Sequence, residues 1–169
     1  MLDAATWLPF RYDDLFVIRR GSISSFKELP VGDTPIVTAT TLNNGVAAMT
    51  DLEPTFPAGV ISVANDGSPG TAFYQPLPFA ANSAVSVLTP KKKLSVRACL
   101  FICAVIEVEK YRFGYGRKWG LDRMKGMTIY LPATSSGEPD WDAMDTYIKT
   151  LPVLASVVSS AEQVAQRLK

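Results

Sequence analysis

Histidine is absent from this 169-residue chain, and cysteine occurs only twice. Without histidine there can be no Ser-His-Asp or Cys-His dyad and no histidine-ligated zinc. The two thiols, Cys99 and Cys103, are too few for a structural zinc site. Four residues apart in an apolar stretch, they share a helix face and read as small core hydrophobes. A disulfide between them is disfavoured in a reducing compartment. Long hydrophobic runs are missing as well. The longest, Ala98–Ile106, falls well short of the ~20 residues that span a bilayer. No basic region followed by an apolar stretch marks the N-terminus as a secretory signal. The expectation is a cytoplasmic protein with no membrane partner.

Several enzyme signatures are lacking too. There is no glycine-rich phosphate loop ending in Lys-Ser/Thr, and no acid is followed two residues later by lysine. Neither a nucleotide-binding glycine loop after the first strand nor an Asn-Pro-Pro-aromatic loop is present, which excludes a complete adenine methyltransferase. Glu138, Asp140, Asp142 and Asp145 cluster at a helix start, where the helix dipole accounts for them without a metal. One enzyme reading survives, with Asp66 and Ser68 in a pocket beneath Arg117, but nothing in the spacing supports a particular reaction. The chain is therefore expected to be non-catalytic, with no cofactor and no metal.

What is present is a globular mix, 47% hydrophobic and 20% charged, of a length that suits one domain with a proper core. The net charge is +1, from 17 basic and 16 acidic residues, but the charges are unevenly spread. Residues 28–90 contain five acids and no Lys or Arg. Residues 91–125 contain ten basic groups and three acids, a local +7. Exposed charges are screened beyond roughly 8 Å in physiological salt, so local balance decides what a surface attracts. The segment 91–125 reads as one basic stripe.

Strands are predicted at Leu15–Ile18, Pro35–Thr40, Val60–Ala64, Thr71–Tyr74, Ser83–Leu88 and Met127–Leu131. Asn43-Asn44-Gly45 and Asn65–Gly70 are turn signals, the latter between two strand-like runs. Leu94–Lys110 is apolar almost all round, as a buried central helix would be. A helical turn at Leu121–Lys125 and an amphipathic helix at Asp140–Thr150 follow. Residues 1–152 are expected to form the domain and 153–169 a C-terminal helix. In that helix Leu154, Val158, Ala161, Ala165 and Leu168 are spaced 4-3-4-3, the seam of a coiled coil. A terminal helix packed on its own domain explains the stripe equally well.

The densest constellation is Lys110-Tyr111-Arg112-Phe113-Gly114-Tyr115-Gly116-Arg117-Lys118-Trp119-Gly120. Cations meet phosphates, guanidinium forks read guanine edges, and aromatic planes stack on bases. Phe113 and Trp119 are expected to anchor the stretch in the core, leaving Arg117, Lys118 and Arg123 for phosphates. The polar loops Thr38–Asn44 and Asn65–Gly70 read first as turns, although asparagine can also pair with adenine. Lys91-Lys92-Lys93 is most simply a solvated run.

Taken in order, several segments carry a resemblance. They are Leu15–Gly21, Thr34–Thr40 leading to Asn43-Asn44-Gly45, Gly59–Val63 with Asp66–Gln75, Phe113–Lys118, Ile129–Pro132, and Gly137–Trp141 with Met144. Over about residues 7–152 the chain resembles a target recognition domain of type I restriction–modification specificity subunits. It is closest to the DNA-reading domain or separate specificity chain of fused type II restriction–methylation enzymes. The resemblance implies a mixed α/β (α+β) domain with a twisted, mostly antiparallel sheet, a buried central helix and a spacer-like C-terminal helix. It implies sequence-specific recognition of double-stranded DNA, directing a partner methyltransferase subunit and a nuclease subunit. Candidate DNA-facing residues are Asn43, Asn44, Asn65, Ser68, Arg112, Tyr115, Arg117, Lys118 and Arg123. Leu154, Val158, Ala161, Ala165 and Leu168 are candidates for a partner or homodimer helix. The competing reading is an interaction protein that docks to, or mimics, a specificity subunit without reading DNA. The heptad stripe favours it and the +7 segment counts against it.

Overall fold

The computed structural model describes residues 2–114 and 117–167. The chain opens with strand β1 (Leu8–Arg11), one helical turn α1 (Tyr12–Leu15) and β2 (Phe16–Arg20). The segment without cations supplies β3 (Thr34–Val37), β4 (Val46–Thr50), β5 (Val60–Ala64), β6 (Ala72–Gln75), β7 (Ala80–Ala81) and β8 (Val85–Pro90). Then come α2 (Val96–Val108), α3 (Leu121–Gly126), β9 (Thr128–Leu131), α4 (Trp141–Lys149) and α5 (Ala155–Arg167).

The main sheet is antiparallel, in the order β2-β8-β5-β6. Beside it lies a three-stranded sheet, β4-β3-β7, in which only the β3–β7 pair is parallel. β1 and β9 form a separate antiparallel pair that joins the two halves of the sequence. The expected α+β architecture with a mostly antiparallel sheet is what the chain adopts.

β5 is the inner strand that explains the layering. All five of its residues are buried, and successive side chains leave on opposite faces. Ile61 and Val63 face a large core with Leu88, Tyr12, Phe16 and α2, while Val60 joins Val85, Val87, Phe56 and Phe79 in a second core. α2 starts at Ser95, whose Oγ accepts the N–H of Ala98 at 3.0 Å, a side-chain cap for an orphan donor. Ala98, Cys99, Phe101, Ile102, Cys103 and Ile106 on α2 are buried. That burial pushes the Cys99 thiol up to about 12, and the Cys103 thiol well above its usual range.

Three strands escaped the sequence reading. β1 contains Pro9, β4 is alanine-rich and β7 is two residues long, so each owes its conformation to its partner rather than to propensity. The run Leu15–Ile18 begins as a strand only at Phe16, because Tyr12–Leu15 makes a helical turn.

The C-terminal helix packs the described part of its stripe on its own domain. Val158 is 4% exposed in the main core, with Leu154 and Ala161 packed beside it. Arg97 Nη1 on α2 meets Glu162 Oε1 on α5 at 3.0 Å. The stripe expected to face a partner is turned into its own domain at these three positions. Leu168 and the side chain of Ala165 lie outside the described residues.

Candidate nucleic-acid interface

The end of the main sheet formed by the C-termini of β2 and β5 and the N-termini of β8 and β6 gathers distant parts of the chain. The β5–β6 turn is fixed there by backbone bonds: Asn65 N–H donates to Ala84 O at 2.8 Å and Gly70 N–H to Ala64 O at 3.0 Å. Gly67 holds φ of +69° at the tip, a conformation costly for any residue with a Cβ. A Cβ there would lie 3.7 Å from Ala39 Cβ, so the β5–β6 turn rests on the β3–β4 loop. On its other side, a Cβ on Gly70 would lie 3.0 Å from Lys110 Cγ. The third segment is therefore the stretch that follows α2.

That stretch is anchored from below. Trp119 is fully buried, stacks on Phe113 with centroids 4.4 Å apart, and meets the edge of Tyr12 at 5.4 Å. Its backbone N–H donates to Asn65 O at 3.3 Å, tying it to the β5–β6 turn. Gly114 and Arg117 form an antiparallel bridge, with Arg117 N–H on Gly114 O at 2.9 Å. The Glu107 carboxylate accepts the N–H of Ala72 at 2.8 Å, which pins the end of α2 to the start of β6.

The ten cations of residues 91–125 do not form one stripe. Lys91–Lys93 precede α2 and the group from Lys110 onward follows it, and thirteen helical residues separate them by about 20 Å. Most of them are also spoken for. Lys91 Nζ donates to Asp13 O, Arg97 pairs with Glu162, Lys110 with Glu107, Arg112 with Glu109 at 2.5 Å, and Lys118 with Asp66 at 2.7 Å. Arg123 Nη1 donates to the Lys118 carbonyl at 3.1 Å, which braces the loop without neutralising the guanidinium. Arg117 is exposed and, among the described residues, has no carboxylate partner.

The expected site residues therefore separate. Ser68, Arg117, Lys118 and Arg123 share the loop end. Asn43 and Asn44 are exposed in left-handed turn conformations with φ of 49° and 55°. The Asn44 amide is engaged with the edge strand, donating to Tyr74 O at 2.9 Å, while Gln75 Nε2 returns a bond to Asn44 O at 3.0 Å. This covers an edge that would otherwise be open to pairing. Asn65 is 2% exposed, so its side chain is not on the surface as expected; its backbone does the positioning. Arg112 is held on Glu109. Tyr115 lies outside the described residues. One cation was missed: Arg20, exposed at the end of β2, whose Nε donates to Ser83 O two strands from Asn65. Nothing in its local sequence set it apart, because strand order alone brings it there.

Residues 5–154 match the family described as the type I restriction modification DNA specificity domain. Among curated proteins the chain is 30% identical, over 145 residues, to the Type II restriction enzyme BgcI specificity subunit S.BcgI of Heyndrickxia coagulans. That match covers 85% of this chain and 42% of the relative. The fold is shared with the S subunit of a type I restriction–modification system from M. genitalium: TM-score 0.68, 13% identity, 97% of this chain and 43% of that one. It is also shared with the HsdS subunit from Thermoanaerobacter tengcongensis: TM-score 0.61, 11% identity, 96% and 41%. The chain thus spans about two-fifths of the length of the proteins it matches.

Proposed function

This chain belongs to the family of type I restriction modification DNA specificity domains, and on that premise we propose that it is a sequence-specific reader of double-stranded DNA. It serves as the non-catalytic specificity component of a restriction–modification enzyme, acting in the cytoplasm where the DNA is. Methylation and cleavage are left to a methyltransferase and a nuclease subunit or domain. The supporting observation is the convergence of segments far apart in sequence on one end of the sheet: Ala39 of the β3–β4 loop and Lys110 and Trp119 of the stretch after α2 all meet the turn at residues 65–70. The guanidiniums of Arg117, Arg123 and Arg20 stand around that end without carboxylate partners among the described residues.

In this reading the arginines contact phosphates and fix the register, while the turn at residues 66–69 approaches base edges. Ser68 is a candidate base contact: its backbone is fixed within the turn, and its hydroxyl makes no hydrogen bond among the described residues. Asn44 stands apart from this turn, its amide bonded to Tyr74 O toward the C-terminal end of β6. The homodimer expected through the C-terminal helix is not carried forward, because Val158 is buried in its own domain.

Selection from a random duplex library by the purified chain, at two salt concentrations, tests the reading. Enrichment of a defined short sequence supports it. Recovery of unenriched duplex at both concentrations overturns it.

A further inference from the structure

The Asp66–Lys118 pair is the most particular chemical feature of the loop end. Asp66 Oδ1 is turned inward and lies 2.7 Å from Lys118 Nζ. The Asp66 side chain is 30% exposed, so Oδ2 is the oxygen left toward the surface, and the Lys118 side chain is 61% exposed. The two groups share a cavity of about 310 Å³ with Gly67, Pro69 and Gly114. Gly114 has no left-handed φ, and open space where a Cβ would sit, so nothing among the described residues requires glycine there.

A carboxylate this close makes Lys118 a poor phosphate ligand, because any phosphate oxygen approaching Nζ also meets Asp66. The pair is only partly buried, and such ion pairs are weak in water, so rearranging it costs little. What the pair offers is an acceptor beside a donor, at the tip of a turn whose backbone is fixed. In the major groove a C·G pair presents the complement: the cytosine N4 amino donor next to the guanine O6 and N7 acceptors.

We propose that Asp66 and Lys118 act together as the reader of one C·G base pair, Asp66 accepting from cytosine N4 and Lys118 donating to guanine O6 and N7. This rests on the DNA-reading function proposed above. It assigns Lys118 to a base rather than to the phosphate that its basic neighbourhood first suggested. The shared cation and carboxylate also predict that the two residues fail together, at the same position of the target.

Parallel selections with the full chain and with Asp66→Asn, Asp66→Ala and Lys118→Ala test the pair, and Asp66→Asn preserves the shape of the turn. The wild-type chain is expected to enrich a motif in which one C·G pair is preferred by on the order of 10-fold or more. In Asp66→Ala and Lys118→Ala that same position falls to within about 3-fold of indifference while the others keep their preference. In Asp66→Asn the preference at that position moves away from C·G. If the wild-type motif survives unchanged in the variants, or the two alanine variants relax different positions, or the shared position is A·T, the pairing is overturned and DNA reading stands. If the wild-type chain enriches nothing, both fall.

Discussion

Replacing Arg117 by alanine should flatten the salt dependence of DNA binding, and replacing Lys118 should not. The difference follows from how the cations are partnered. At the loop end Arg20, Arg117 and Arg123 have no carboxylate partner among the described residues, whereas Lys110, Arg112 and Lys118 are each held by an acid. Each phosphate neutralised adds about 0.9 to the slope of log K against log salt, so three contacts give a slope near −2.7. Between 50 and 200 mM salt that is an affinity loss of about 40-fold for the wild-type chain and about 12-fold for Arg117→Ala. Lys118→Ala should stay near 40-fold. Fluorescence anisotropy with a labelled duplex, titrated at four salt concentrations, measures all three. A Lys118→Ala slope as shallow as that of Arg117→Ala would show that Asp66 does not neutralise the lysine. A wild-type slope approaching −9 would show that all ten cations of residues 91–125 act on DNA together.

Val158→Ala should lower stability by about 2 kcal/mol, the scale of a buried aliphatic truncation, in a denaturant melt. Size-exclusion elution should stay unchanged, and loss of an oligomer with stability intact would restore the partner-helix reading. Gly21→Ala should be far more costly than Gly114→Ala. A Cβ on Gly21 would lie 2.2 Å from Asn82 O, while one on Gly114 meets nothing within 4 Å among the described residues. Equal melting temperatures for the two variants would refute that packing. Both thiols should resist a disulfide reagent at pH 8 until the chain unfolds. Burial raises both thiol pKa values, Cys99 to about 12, so the native state holds these protons after the unfolded chain has lost them. Stability contributed this way is complete below the ordinary thiol value and declines as pH rises from about 9 toward 12. A stability that rises over that range would contradict the assignment.

The elements legible in the sequence were those with strong local signals. Val60–Ala64 and Thr71–Tyr74 flank an Asp-Gly turn and form the β5–β6 hairpin. Asp140 caps α4 through the N–H of Ala143, as an acid before a helix should. Trp119 and Phe113 anchor the basic loop as their apolar bulk suggested. What escaped was set by long-range pairing. β1 exists because β9 lies beside it, and Arg20 reaches the loop end only through the order β2-β8-β5. Ion pairing was hidden for the same reason. Asp66 and Lys118 are 52 positions apart in sequence, and no local pattern announces that one neutralises the other. Asn65 looked like a surface turn residue because its neighbours are polar, yet the backbone bonds to Ala84 and Trp119 draw it inside.

Discrimination and occupancy come apart in a site built this way. A slope set by three arginines makes absolute affinity fall with salt, and it does so equally for every sequence. A preference carried by an ion pair close to neutral, reading one base pair, does not involve counterion release and keeps its ratio as affinity falls. At physiological salt such a domain would still distinguish its target yet hold it only briefly. A partner is then needed for occupancy rather than for choice. Adding a methyltransferase subunit should raise affinity for target and non-target duplexes by the same factor and leave their ratio unchanged. Competition titrations with and without that subunit measure the ratio directly. A ratio that appears only with the subunit present would move the reading of sequence out of this domain.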